Sequence, residues 1–116
     1  MTKAISTRQR LIDMNARSIR REIVEIPVEG EDPIRVEVRS PTLGQSAQFS
    51  DDSTGRGRQM AKIVIACAFD ADSGEPLFTE ADEDLILEGP TSGSWVTAIV
   101  TKMSELVTAG QVAAKN

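Results

Sequence analysis

Two acidic segments contain the residues of this sequence that are best suited to chemistry. The first, Asp70-Ala-Asp-Ser-Gly74, places carboxylate oxygens at its first and third positions, as at the start of an EF-hand calcium loop. Such a loop also needs a glycine at its sixth position and a bidentate glutamate at its twelfth, which here are Glu75 and Ala81. Both requirements fail, so we predict a plain acidic turn and no metal site.

The second segment offers Glu80, Asp82, Glu83 and Asp84 as paired carboxylates for acid–base catalysis. Such a pair needs an enclosed or apolar setting to separate its pKa values, whereas these residues fit the solvated first turns of a capped helix. The sequence contains no His to activate a nucleophile, and its single Cys67 lies within an apolar run that favours burial. We therefore predict that the protein is not an enzyme, with no catalytic residue and no cofactor.

The composition indicates one small domain with an aliphatic core. The chain has 116 residues, of which 40% are hydrophobic and only 3% aromatic. A core of this kind is often completed by a partner or by self-association. We find neither a secretory signal nor an apolar stretch of about 20 residues that could cross a bilayer, so we expect an intracellular protein and no membrane partner.

Charge divides the sequence into a basic arm and an acidic body. Residues 1–21 contain six basic residues and one acidic residue, a net charge of +5, and residues 22–116 contain seven basic and 17 acidic residues, a net charge of −10. We predict a flexible arm over residues 1–20. The arm could reach the acidic face of a neighbouring copy or could bind nucleic acid, and its lack of aromatic residues favours the first use.

Residues 21–40 have the pattern of a β-hairpin. Val24, Ile26 and Val28 alternate with polar residues or proline, and a second alternating run follows the turn over residues 29–33. This period of two places the aliphatic side chains on one face and the charged side chains in water. Pro27 cannot donate a ladder hydrogen bond, so we predict that the first strand lies at the edge of its sheet.

Helices are predicted after the hairpin. Thr42 with Gln45, and Thr79 with Asp82, have the spacing of N-terminal capping boxes. The first helix is predicted to end near Phe49, before a polar loop over residues 50–58. An apolar helix is predicted over residues 59–69, and the helix that follows Thr79 is predicted to end near residue 88.

A last amphipathic helix is predicted from Trp95, with Gly110 placed to stop it. The predicted architecture is α+β, an N-terminal β-hairpin packed on a small bundle of three to four helices. The domain is predicted to span residues 21–110, with a C-terminal tail over residues 111–116.

The order of these elements resembles the tail assembly chaperones of long-tailed (siphovirus-type) phages and related prophages. The resemblance rests on the early hairpin, the capped helix after Pro41-Thr42-Leu43, and the apolar helix that leads into the acidic turn. It also includes the string Pro76-Leu-Phe-Thr-Glu-Ala-Asp82 and the final amphipathic helix, and it covers roughly residues 21–108.

The resemblance implies a homo-oligomer in the host cell cytoplasm that coats the tape measure protein during tail morphogenesis. In this family a longer, frameshifted product often recruits the tail tube protein, which is a second implied partner. A long helical client with apolar segments could be covered by an aliphatic groove between helices. We predict partner contacts on the apolar helices at Ile63, Phe69, Trp95, Ile99, Met103 and Leu106.

Two other functions fit the same sequence. The basic arm could make the protein a nucleic-acid binder, in which case loss of residues 1–20 would abolish salt-sensitive DNA binding. The acidic cluster between residues 70 and 88 could instead make it a regulatory or inhibitory protein that imitates the charge of DNA. Tight binding of a basic partner by residues 22–116 would indicate that second alternative.

Overall fold

The computed structural model of the chain describes residues 5–49, 55–89 and 94–115. For residue 16 and residues 111–115 it describes the backbone only. It confirms the predicted α+β architecture. Its elements in chain order are helix α1 (Thr7–Ser18), strands β1 (Arg21–Val28) and β2 (Glu31–Arg39), helices α2 (Leu43–Phe49) and α3 (Arg56–Cys67), strand β3 (Ala68–Asp70), a 3₁₀ turn (Glu80–Asp82), and helices α4 (Glu83–Leu87) and α5 (Trp95–Lys115).

The predicted hairpin is confirmed, and its turn is tighter than predicted. Only Glu29 and Gly30 separate the two strands, and Gly30 has a φ of 77°, a backbone conformation that glycine adopts without steric cost. The pairing shifts register beside Pro27, between Ile26 and Val28. Among the described residues β1 pairs only with β2, in the strand order β1-β2-β3, so the predicted edge position is also confirmed.

The third strand corrects the predicted helix over residues 59–69. The helix begins at Arg56 and ends at Cys67, after which Ala68 pairs with Val38 and Phe69 pairs with Glu37. Strand β2 has a free edge once β1 covers the other, and ladder hydrogen bonds at that edge outweigh the helical spacing of the sequence. Phe69 therefore belongs to the sheet and not to the helix.

Helix α3 is the centre of the helical layer. It contacts α2, α4 and α5, and α5 lies across β1 and β2. The described part of the core contains no aromatic residue, as the composition predicts; its buried members are Val36, Val38, Ala61, Ile63, Val64, Cys67, Ala68, Ile86, Val96, Ile99, Met103 and Leu106. Helices α2 to α5 thus form the predicted small bundle beside the hairpin.

Both predicted capping boxes are present. Thr42 Oγ1 accepts a hydrogen bond from the Gln45 amide at 3.2 Å, and the Gln45 side chain accepts one from the Thr42 amide at 2.9 Å. The Thr79 amide donates to the Asp82 carboxylate at 2.8 Å in the reciprocal arrangement. Helix α2 and the 3₁₀ turn each begin at the residue that follows the capping threonine. Helix α4 ends at Leu87, close to the predicted end near residue 88.

Helix α5 does not stop at Gly110, which corrects the sequence prediction. The helix continues to Lys115. A glycine inside a helix costs about 1 kcal/mol relative to alanine, which the helix-forming sequence Gln-Val-Ala-Ala-Lys after it can offset. A side chain at Gly110 would also meet Arg20, whose Nε lies 3.5 Å from the position of a Cβ.

Part of the predicted basic arm is the helix α1. Ser6 caps it by accepting a hydrogen bond from the Gln9 amide at 3.1 Å, and every side chain described in this helix is exposed. The flexibility of the arm in solution stays a prediction. Of the predicted polar loop, residues 50–54 lie outside the described residues, and so do residues 90–93 between the last two helices.

No helix within the described residues has the length and apolar character that crossing a membrane requires.

Candidate functional site

One concave surface of the described structure is a groove that we call the Phe69 groove. It has a volume of about 770 Å³ and lies between α2, α3 and the segment that leads into α4. Its lining residues are Gln45, Gln48, Lys62, Ile65, Ala66, Phe69, Pro76, Phe78, Thr79, Glu80 and Glu83. Three segments distant in sequence therefore build it.

The floor of the groove is apolar and rests on the sheet edge. Ile65 and Ala66 come from the last turn and a half of α3, and Phe69 follows directly on β3. Pro76 forms a bridge with Phe69 across the acidic turn. Because the helix ends at Cys67, the chain turns Phe69 into the groove beside Ile65.

Arg39 ties the strand β2 to the floor of the groove. Its guanidinium carbon lies 3.8 Å from the centre of the Phe69 ring, and its Nη2 donates to the Gly74 carbonyl at 3.1 Å. Its Nε donates to Glu37 Oε2 at 2.7 Å. Glu37 and Arg39 are thus half-buried beneath the turn, which corrects the prediction that the charges of this hairpin face water.

An aromatic stack forms one wall. The Phe78 and Trp95 rings lie 5.4 Å apart at an angle of 16°, so Trp95 supports the groove from behind Phe78. Offset stacking of this kind adds about 0.5–1.5 kcal/mol beyond the area that the rings bury. The capping box at Thr79 then fixes the backbone immediately after Phe78.

The rim of the groove contains a charge cluster that the sequence predicts only in part. The Glu83 side chain is 22% exposed and pairs with Arg58 at 2.9 Å and Lys62 at 3.6 Å. Its Oε1 atom has no hydrogen-bond partner among the described residues. Asp84 is 85% exposed, as the prediction of a solvated face requires, but Glu83 is not. Basic side chains of α3 draw Glu83 against the groove.

The acidic turn after β3 uses its first carboxylate to hold its own backbone. Asp70 Oδ1 accepts hydrogen bonds from the amides of Asp72 at 2.8 Å and Ser73 at 3.1 Å. These two bonds lower the pKa of Asp70 because they favour the charged carboxylate, and the bond from the Ser73 amide has the larger effect. Across the described residues no group of three or more candidate ligands could hold a metal ion.

Cys67 is fully buried, as its place in the apolar run predicts. Burial raises the pKa of its thiol to about 12, because the thiolate cannot be solvated in the core. The free thiol stays protonated below that pH in the folded chain, whereas in the unfolded chain it ionises near its ordinary pKa of 9.0.

We expect iodoacetamide to modify Cys67 about 1,000-fold more slowly in the folded chain than in the chain unfolded by urea, since the pKa values differ by about three units. The contribution of this thiol to stability should be constant below pH 9 and should fall as the pH rises toward 12. A surface thiol in the variant Ser104→Cys provides the control for reagent access. Equal labelling of Cys67 and the surface thiol would contradict the burial.

The structure separates the six predicted contact residues into two groups. Phe69 lines the groove, and Trp95 supports it through Phe78. The other four are core residues of the single chain, with exposed fractions of 9% or less: Ile63, Ile99, Met103 and Leu106. Partner contact through any of the six stays a prediction, and packing already explains those four.

Sequence reasoning missed two surfaces. Phe78 enters the sequence argument only as part of a string that resembles a family, yet it forms a wall of the groove. Helix α1 exposes Leu11 and Met14, which are 58% and 54% exposed. The spacing of Ser6 and Gln9 was the available signal for that helix, since it matches the capping pattern at Thr42.

The fold of this chain resembles that of a solved phage protein. A solved structure, that of the bacteriophage HK97 tail assembly chaperone, matches this chain with a TM-score of 0.61 at 18% sequence identity. The match covers 88% of this chain and 99% of that one. No protein-family model matches the sequence, and no curated protein matches it. The similarity is therefore one of fold across nearly the whole domain.

Proposed function

We propose that this protein is a phage tail assembly chaperone that self-associates and coats the tape measure protein during virion morphogenesis in the host cell cytoplasm. The observation that carries this proposal is the fold match to the HK97 tail assembly chaperone over 88% of the chain. The tail tube protein is a further proposed partner, through a longer product of the same gene. The order of the elements and the string from Pro76 to Asp82, read from the sequence, favour the same function.

The Phe69 groove is the surface that we assign to the client. It combines an apolar floor with a charged rim, the arrangement by which proteins receive one face of an amphipathic helix. Because Ile99 and Met103 are buried in the core, this groove replaces the C-terminal helix as the proposed client surface. The partially open floor suits a client that must be released when the tail tube polymerises around it.

We expect Ile65→Ser to weaken co-purification of the tape measure protein encoded in the same genome by about ten-fold or more, because an anchor in the centre of the groove is lost. Val100→Ser is the matched control. Val100 is also a half-buried aliphatic residue packed against the core, but it does not line the groove. The measurement is a pull-down from cells that produce both proteins, with circular dichroism and melting curves of each variant.

A second variant keeps the test valid if Ile65→Ser fails to fold. Gln48→Arg changes an exposed side chain at the groove, so it should retain the melting temperature while its bulk and charge obstruct the client. Normal co-purification by a folded Gln48→Arg and a folded Ile65→Ser would reject the groove as the client site. Absence of any complex with the wild-type chain would reject the proposed function itself.

A further inference from the structure

Helix α1 presents an apolar row that the described structure leaves in solvent. Leu11 and Met14 are three residues apart and therefore share one face of the helix. They are 58% and 54% exposed, although burial of such side chains stabilises each by about 1.5–3 kcal/mol. Arg10 and Arg17, seven residues apart, form a basic row beside the apolar one.

The Phe69 groove has an apolar floor and acidic rim residues that could cover the apolar and basic rows of α1. Its floor of Ile65, Phe69 and Phe78 is apolar, and Glu80 and Glu83 lie at its rim. Glu83 is already paired with Arg58 and Lys62, whereas Glu80 is exposed at the rim, so Glu80 is the carboxylate that a guanidinium from outside could reach. Apolar surface and charge are both complementary to α1.

A second groove fits α1 less well. It has a volume of about 430 Å³ and is lined in part by Leu43, Leu106 and Val107, but Arg20 also lies in its wall. The lining of this second groove contains no carboxylate to offset Arg20, whereas Glu80 and Glu83 outnumber Lys62 in the lining of the Phe69 groove. A basic helix is therefore repelled more strongly in the second groove. The Phe69 groove is both the larger and the acidic one.

We propose that α1 of a second copy of this chain lies in the Phe69 groove. Leu11 and Met14 pack on the apolar floor, and Arg10 and Arg17 face Glu80 and Glu83. This assignment rests on the self-association included in the proposed function, and it identifies the two surfaces that meet. It gives the basic arm a defined receptor on the acidic body of its neighbour.

The assignment has a consequence for the client. A client helix and the neighbouring α1 would use the same groove, so α1 covers the apolar floor in the client-free assembly and leaves it when the client binds. The contact must therefore be weak enough to exchange, which fits a short helix with two apolar anchors. The client-free protein is therefore the form in which this contact should be detected.

The test mixes two singly substituted full-length chains of different mass, Leu11→Cys and Gln48→Cys, and treats them with a short bis-maleimide. Only a contact between copies can join these two thiols, and buried Cys67 does not compete for the reagent. We expect a mixed cross-linked dimer at a yield about ten-fold above that of the control pair Leu11→Cys and Glu31→Cys. Glu31 is exposed and lies at the turn of the hairpin.

Charge reversal provides a second test of the contact. Arg10→Glu with Arg17→Glu in the chain that carries Leu11→Cys should reduce the mixed dimer, and Glu80→Arg in the chain that carries Gln48→Cys should restore it. Cross-linking unaffected by these changes would overturn the proposed orientation of α1.

Sedimentation separates failure of this inference from failure of the proposed function. A control-level cross-link in a protein that still sediments as an assembly would overturn the contact between α1 and the groove and leave self-association standing. A control-level cross-link in a protein that is a monomer at every concentration would overturn both.

Discussion

Replacing Ile99 with alanine is expected to lower the free energy of unfolding by about 2–5 kcal/mol, a large part of the total stability of a domain of this size. Ile99 is completely buried, at 0% exposure, in the core formed by α5, α3 and the sheet. The truncation removes apolar contacts and leaves a cavity that the surrounding side chains fill only in part. Urea denaturation followed by circular dichroism measures the loss.

Leu43→Ala is the matched control for this prediction. Leu43 is an aliphatic residue on α2 with 89% of its side-chain surface exposed, so its truncation should change the free energy of unfolding by less than about 0.5 kcal/mol. The comparison also bears on function, because Ile99 was a predicted contact residue. Similar losses in the two variants would mean that Ile99 is not the core residue that its burial indicates.

The parts of the fold that could be predicted from the sequence are those with local causes. The alternation of Val24, Ile26 and Val28 defines a strand on its own, because a period of two places the three side chains on one face. The capping boxes at Thr42 and Thr79 involve residues only three positions apart, so their hydrogen bonds form as the spacing predicts. These signals depend on no distant part of the chain.

Strand β3 could not be predicted in this way. Ala68-Phe-Asp70 has no strand pattern of its own and becomes a strand because the free edge of β2 is within reach. The pairing joins Val38 to Ala68, 30 positions further along the chain, so no local pattern reveals it.

The candidate site was even harder to predict from the sequence than strand β3, because it also depends on contacts between distant segments. Its lining comes from α2, α3 and the segment between Pro76 and Glu83, which no single motif connects. The apolar spacing of α3 and α5 indicates which side chains leave solvent, but it does not distinguish a core contact from a partner contact. Ile99 and Phe69 therefore looked equivalent in the sequence, whereas the structure places the first in the core and the second in the groove.

Replacing Arg39 with methionine is expected to lower the free energy of unfolding by about 2 kcal/mol. Methionine preserves much of the length and apolar stem of the side chain and removes the charge and the donors. Glu37 would then keep a half-buried carboxylate without its partner at 2.7 Å, and the Gly74 carbonyl would lose its donor at 3.1 Å. The contact with the Phe69 ring would lose its cationic component as well.

Arg35→Met isolates the effect of burial from the effect of charge. Arg35 lies on the same strand and the same side of β2, and its side chain is 54% exposed in a pair with Asp72, which is 92% exposed and 3.8 Å away. Solvent screens such a pair, so its loss should change the free energy of unfolding by less than about 0.5 kcal/mol. Chemical denaturation of both variants in parallel gives the difference directly. If the two substitutions cost the same, Arg39 behaves as a surface charge, and the attachment of the acidic turn to β2 must depend on the strand pairing of Phe69 alone.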